Sequence, residues 1–444
     1  MPKRQITLEQ VLYISAFIIA LGIRFINLGS APLSEIEAQS ALLAYNLAAG
    51  DLPEAVSHPA YTLITSYLFS IFGSSEFLAR LLPALVGFGL VVIPLTLREQ
   101  LGKTAALVLT FGLAVDPMLV GMSRLAGSPI LAYVFTLAAG IAFYKGKKVG
   151  AGILFGLMLL SGSTAIAGAF VLALAWAISQ VTLKSRNRRN RKERWSPAKL
   201  LSEREFFLSA FVTMILAGSF FLRVPSGLSA IGATLPNYLS GWQSQPSIPF
   251  SQFVLALIAY QPLALIFGLV AITRSFLQLN TKLIRSLGFW LIAGLLLTLT
   301  YPARQITDLV WVITPLWILA AIEISKHLEW GTNDRMASIG QTGLTLLLLT
   351  FLIMFTARSV SAPAFSFPDS GLQIFGVPIG LSQQVITTFS IIGLAAISTL
   401  LIASGWSKDA ASQGLVTGIS IFITIFMFSS SFNNISSPRR IVNE

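Results

Sequence analysis

Apolar runs long enough to cross about 30 Å of hydrocarbon recur along the whole 444-residue chain. A segment in hydrocarbon must satisfy its own backbone hydrogen bonds, which an α-helix does. That constraint narrows the fold further than any other feature. Composition agrees: hydrophobic residues make up 55% of the chain, charged residues 11%, and the mean hydropathy is +0.77. The reading is an all-α polytopic membrane protein, residues 1–444 forming one integral-membrane domain. With no cysteine there is no disulfide and no thiolate metal or redox site. The two histidines, His58 and His327, lie too far apart in sequence to suggest a zinc site.

Charge placement sets the expected topology. Lys3 and Arg4 precede a first apolar segment, Leu8 to Asn27. It is expected to be a retained span, because Arg24 sits near its far end and no small-residue cleavage pattern follows. Further spans are expected at 77–97, 104–115, 130–144, 149–160, 163–181, 205–222, 250–272, 287–300 and 309–324. Three more, at 339–357, 383–404 and 415–431, bring the count to about thirteen. The N-terminus is then cytoplasmic, and the first loop and the C-terminus lie outside. The net charge of +12 is concentrated in the basic loop 182–204, densest from Lys184 to Arg194. Such a block between apolar segments marks a cytoplasmic loop, with contact to anionic lipid. It lacks the interleaved aromatics of a nucleic-acid surface, so no nucleic-acid partner is expected. Arg24, Arg80, Arg124, Arg223, Arg304, Arg358, Arg439 and Arg440 are the cations left on the expected outer side, and none is a lysine. Arginine forks suit bidentate binding of phosphate. No P-loop is present, since Gly102-Lys103-Thr104 lacks the upstream glycine and strand.

Residues 28–76 form the first outer loop, and it carries most of the polar chemistry. Ser34 to Gly50 reads as a helix beside the membrane, with a Ser34–Glu37 capping box and a glycine stop. His58 to Gly73 is apolar but short, and reads as a re-entrant or interfacial helix.

The motifs of this loop resemble the GT-C superfamily of polytopic glycosyltransferases, in its protein O-mannosyltransferase and aminoarabinose transferase branch. The matching residues are Leu28, Gly29, Pro32, Leu33, Glu37 and Ala38, then His58, Pro59 and Tyr61. Gly73, Ser75, Glu76, Arg80, Pro83, Ala84 and Leu85 form the third piece. Downstream, Asp116 to Ala126 and, more weakly, Tyr301 to Leu316 are similar to two later outer loops of that family. The resemblance implies a GT-C-like bundle with outer-face juxtamembrane helices in a prokaryotic plasma membrane. It implies transfer of a sugar from a polyprenyl-phosphate carrier to an outer-face acceptor, with a carboxylate as general base. Fixed positive charge would hold the departing phosphate. Carried onto this chain, Glu37 or Glu35 is the candidate base, and His58, Arg80, Arg124 and Arg304 are candidate substrate-binding residues. The family sometimes uses a divalent metal, for which this sequence offers no ligand set. Partners are the lipid-linked sugar, membrane lipids and an acceptor that the sequence does not name.

Two departures set up a second reading. The position that usually carries the catalytic aspartate is Ile36, and the Ser123-Arg124 loop runs on to Gly127-Ser128-Pro129 without an acidic or tyrosine residue. A catalytically degenerate subunit that keeps the fold, scaffolding membrane-protein partners or binding lipid, fits these changes. A transporter would show symmetric halves with broken helices and mid-membrane polar residues, and no such symmetry is visible. Each candidate also has a structural role open to it. Glu37 can serve only as a capping partner, Glu35 as a helix-dipole acid, and His58 as a turn residue before Pro59. Arg80 can pair with Glu76, Arg304 with Asp308, and Arg124 can snorkel to headgroups.

Overall fold

The computed structural model describes residues 7–51, 56, 58–184, 203–246, 248–278, 282–328, 335–361, 373–374, 377–378 and 383–436. The basic block at 185–202, with Lys3, Arg4, Arg439 and Arg440, lies outside the described residues. The described chain is helical apart from a two-residue antiparallel pair, Gln373–Ile374 with Val377–Pro378. It divides into two compact units, Met1–Ala321 with Met427–Glu444, and Ile322–Phe426.

The first unit opens with α1 (Leu8–Phe25), capped by a reciprocal Thr7–Gln10 box. Two helices then lie in the first loop, α2 (Glu35–Ala49) and α3 (Pro59–Phe72). Gly50 closes α2 at φ 100°, a left-handed position that only glycine takes without strain. Next come α4 (Glu76–Thr96), the single turn α5 (Arg98–Leu101), α6 (Lys103–Val115) and α7 (Pro117–Ser123). The series continues through α8 (Ile130–Tyr144), α9 (Lys148–Leu159), α10 (Ser163–Lys184) and α11 (Arg204–Gly218). It reaches α12 (Ser229–Ser240), α13 (Phe250–Tyr260), α14 (Pro262–Gln278), α15 (Lys282–Thr300) and α16 (Val310–Leu328).

Ion pairs sort the helix ends of this unit. Glu9 pairs with Arg98, Lys145 donates to the Thr96 carbonyl, and Lys148 pairs with Glu203. These contacts gather the start of α1, the end of α4, the α8–α9 turn and the start of α11 at one end, the lysine end. The exit of α1, the entry of α4 and the α7–α8 loop meet at the other, called here the clasp end.

Among the described residues six helices are long and apolar enough to cross a membrane: 8–25, 76–96, 283–300, 306–328, 335–355 and 408–432. Two bent pairs raise the number to eight. The expected count of about thirteen is not confirmed among the described residues, where several apolar helices, 130–144 and 148–159 among them, fall short of ~20 residues. The segment 250–272, expected as one span, turns by 93° between α13 and α14. Pro262 causes the break: it has no N–H to donate, and it biases Gln261 away from helical dihedrals. Likewise α6 and α7 meet at 58° across Asp116-Pro117.

Broken helices strand carbonyls, and this unit supplies donors to them. Arg24, fully buried, donates to Leu113 O and Ala114 O at 3.0 Å each, at the cut end of α6. Asp116 caps α7, accepting from Leu119 N at 2.9 Å, and its other oxygen accepts from Trp317 Nε1 at 2.8 Å. Trp317 and Trp311 are core residues of α16, and both are wholly buried. Gly112 of α6 and Gly168 of α10 leave room for their indoles, where any Cβ would overlap the rings.

The second unit holds the end of α16, α17 (Arg335–Ser361), α18 (Gln383–Gly405) and most of α19 (Lys408–Ser436). Gln341 Nε2 donates to Thr399 Oγ1 at 2.9 Å, and Thr342 Oγ1 approaches Gly414 O at 3.3 Å. Gly414 and Gly418 pack directly on Gln341 and Thr345. Small residues and interhelical hydrogen bonds are the usual adhesive between membrane helices.

Candidate functional site

The quoted motifs converge on one ion pair. Arg80, one turn into α4, donates from Nε to Glu37 Oε1 at 2.8 Å and from Nη2 to Glu37 Oε2 at 2.9 Å. The same guanidinium donates to the carbonyls of Leu28 (3.2 Å), Ala31 (2.8 Å) and Pro32 (3.1 Å). Glu37 also accepts from Ser34 N and Ser34 Oγ at 3.0 Å, and from Ala126 N at 3.0 Å. The first-loop, Arg80 and Ser-Arg-Leu-Ala motifs thus close a single clasp. Arg80 does not use Glu76, four residues back, as expected from helix spacing. Its partner is 43 residues away, because the loop from Leu28 to Ser34 folds over the start of α4. Gly29 permits that fold, since a Cβ there would press on Phe77 backbone and side chain within 2.9–3.1 Å.

Burial pushes the Glu37 carboxyl up, but the Arg80, Ala126 and Ser34 hydrogen bonds outweigh it and hold Glu37 below its ordinary range. At 3% exposure, with both oxygens engaged, Glu37 has no free lone pair facing solvent. Ile36 beside it is 78% exposed.

Glu35 has the opposite setting. It is exposed on the first turn of α2 and lines an open groove of about 620 Å³ between α2, α3 and the start of α4. Leu33, Leu42, Tyr45 and Phe69 form much of its apolar wall. A second carboxylate, Glu76, lines the same groove. Reading Glu76 as the local partner of Arg80 concealed it; its place at the first turn of a helix facing α2 was the available signal. Among the described residues no group of three or more His, Asp or Glu side chains converges as a metal-ligand set.

The remaining candidates are dispersed over the clasp end. His58 precedes α3, and its Nδ1 lies 3.3 Å from Ser161 O, a contact in which an Nδ1–H donates. Burial lowers its pKa, partly offset by that hydrogen bond. Tyr61 donates to Ala79 O at 2.8 Å and pins α3 to α4. Arg124 donates to the carbonyls of Ile23 (2.8 Å), Arg24 (3.0 Å), Ile26 (2.9 Å) and Asn27 (3.1 Å), closing the C-terminus of α1. Burial, with the like charge of Arg80, lowers its pKa to about 10. Arg304 donates to Ile248 O at 3.1 Å and Leu299 O at 2.9 Å. Beside it Tyr301 stacks on Tyr238, with ring centroids 4.7 Å apart.

The first unit and its clasp belong to a helical membrane bundle with a GT-C-like fold, as its likeness to solved structures shows. Two crystal structures of ArnT from Cupriavidus metallidurans carry the same fold. The one bound to undecaprenyl phosphate superposes with a TM-score of 0.59 and 17% identity, covering 96% of this chain and 78% of that one. The apo state gives 0.55 and 17% over 96% and 77%. The archaeal oligosaccharyltransferase AglB from Archaeoglobus fulgidus, in complex with an inhibitory peptide and a dolichol-phosphate, gives 0.44 and 14% over 92% and 56%. No protein-family model matches the sequence, and no curated protein matches it.

Proposed function

We propose that the chain is a membrane glycosyltransferase that moves a sugar from a polyprenyl-phosphate carrier to an acceptor at the clasp end. That end would face the outer side of a prokaryotic plasma membrane. The fold shared with ArnT, one of whose structures holds undecaprenyl phosphate, supports the carrier class. The observation that carries the catalytic assignment is the division of labour between two neighbouring acids. Glu37 is spent on Arg80, Ser34 and Ala126, while Glu35 is exposed in the groove. Glu35 is therefore the base that takes the acceptor proton, and Glu37 holds the loop that presents it. Glu76 is placed to orient the acceptor from the opposite wall. Arg80, Arg124 and Arg304 shape the clasp end and add positive potential to it. His58 fixes the approach of α3.

The test is transfer by the purified protein from radiolabelled polyprenyl-phosphate sugars. Glu35→Gln is expected to lower turnover by about 10²-fold or more with the melting temperature kept. Unchanged turnover in that variant would remove Glu35 from the mechanism. The exposed Ile36, where the resembling family carries its catalytic aspartate, favours a second reading: a degenerate subunit that binds the carrier without turning it over. Carrier binding by the native protein without transfer, on a broad donor and acceptor panel, would decide for it.

A further inference from the structure

Phosphate on a lipid carrier needs a cation that the protein has not already used. At the clasp end Arg80, Arg124 and Arg304 direct their N–H groups at carbonyls or at Glu37, and Arg24 is buried. Arg223 differs. It is exposed, and its guanidinium makes no hydrogen bond or ion pair with a protein group among the described residues.

The backbone that presents Arg223 is strained. Phe220, Phe221 and Leu222 take φ of 52°, 56° and 67° in succession. For L-residues this left-handed region is visited singly, so a run of three persists only when its surroundings enforce it. Those constraints are visible: Phe221 N donates to Leu216 O at 2.7 Å, and Val224 N to Ser219 O at 2.9 Å. Leu222 N donates to Ser219 Oγ at 2.9 Å. Phe220 and Val224 are buried with Leu47, Val56 and Leu63, which anchors the turn against α2 and α3. The outcome is that Phe221 and Leu222 face outward, 59% and 69% exposed, immediately before the free arginine. On α3, Tyr67 meets Phe221 edge to face at 6.4 Å, and Ile71 lies one turn further along the same face. Both are exposed.

We propose that this turn receives the isoprenyl-phosphate carrier. The Arg223 guanidinium takes the phosphate, and Phe221, Leu222, Tyr67 and Ile71 take the isoprenoid chain. The inference rests on the carrier reading above and assigns a residue to it. The bidentate donor suits a phosphate, and the exposed apolar side chains beside it argue for an amphiphile and not for free phosphate.

The full-length protein is titrated with undecaprenyl phosphate in phosphatidylcholine nanodiscs, and binding is read by native mass spectrometry. Arg223→Gln is expected to weaken binding by about tenfold or more, and Arg223→Lys by less. Leu222→Ser is expected to weaken it as well. Because the Arg223 side chain holds no protein group, the melting temperature of Arg223→Gln without carrier should equal that of the native chain. Native-like affinity in Arg223→Gln would overturn the assignment while leaving the glycosyltransferase reading intact. Displacement of the carrier by equimolar phosphatidylglycerol would also overturn it, showing a general anionic-lipid contact. Absence of carrier binding by the native protein would remove both readings.

Discussion

The Glu37–Arg80 pair is the residue on which the first loop depends. Both partners are almost fully buried, so removing one leaves the other as an uncompensated charge. Glu37→Gln or Arg80→Ala is expected to cost about 3–5 kcal/mol, read as a lowered melting temperature in detergent. Arg80→Lys should rescue little, because an ammonium cannot address Glu37 and three carbonyls from one plane. The pair also predicts a pH dependence. The Glu37 carboxyl is held below its ordinary value of 4.5 in the folded state. Its stabilisation is therefore complete above that value and drains away as pH falls toward the depressed one. Acid melting curves should show this loss below about pH 4.5, and Glu37→Gln should flatten it. A variant with the native acid slope would place the titrating group elsewhere. Glu35 and Glu37 show what the sequence leaves open at this scale. The family resemblance offers both acids as candidate bases, but only the path of the Leu28–Ser34 loop decides which carboxylate Arg80 engages.

Helices in this chain are finished by long-range arginines. Arg124 closes α1 and Arg24 closes α6, each from another element. Arg124→Ala is expected to destabilise the protein by about 1–2 kcal/mol through four orphaned carbonyls. Differential scanning fluorimetry would read the shift, and an unchanged midpoint would mean that water replaces the guanidinium. Local chemistry made several elements readable in advance. Ser34, Glu37 and Gly50 bound α2 where the structure has it, and Pro59 starts α3. The Gln261 break also had a local signal, a proline inside an apolar run, but hydropathy summed over a window conceals it. The helix at Ser229–Ser240 has no counterpart in the sequence reading, because its mixed composition and internal Pro236 give no apolar period. The partner of Arg80 was illegible for another reason. Helix spacing offers Glu76 at no entropic cost, and only tertiary folding brings Glu37 closer.

At the scale of the whole molecule, the distribution of lysine and arginine is the basis for the expected sidedness, and within the first unit Arg98, Lys145 and Lys148 gather at one end. The number of crossings is harder to read, since apolar length alone does not separate a short buried helix from a span. A chain without cysteine allows a direct check. Ser30→Cys at the clasp end should react with a membrane-impermeant maleimide in intact cells, and Lys147→Cys only after permeabilisation. The reverse pattern would invert the sidedness, and labelling of both from one face would dissolve the two-ended arrangement. The seating of α16 has a consequence for how such a chain is made. Trp317 joins Asp116 across 201 positions of sequence, and Trp311 fills a recess beside Gly168. The ribosome delivers those sockets long before the residues that fill them. The early helices must then wait in the bilayer with a vacant slot, and a nascent chain stopped short of Val310 would present that slot to the cell's quality-control proteases.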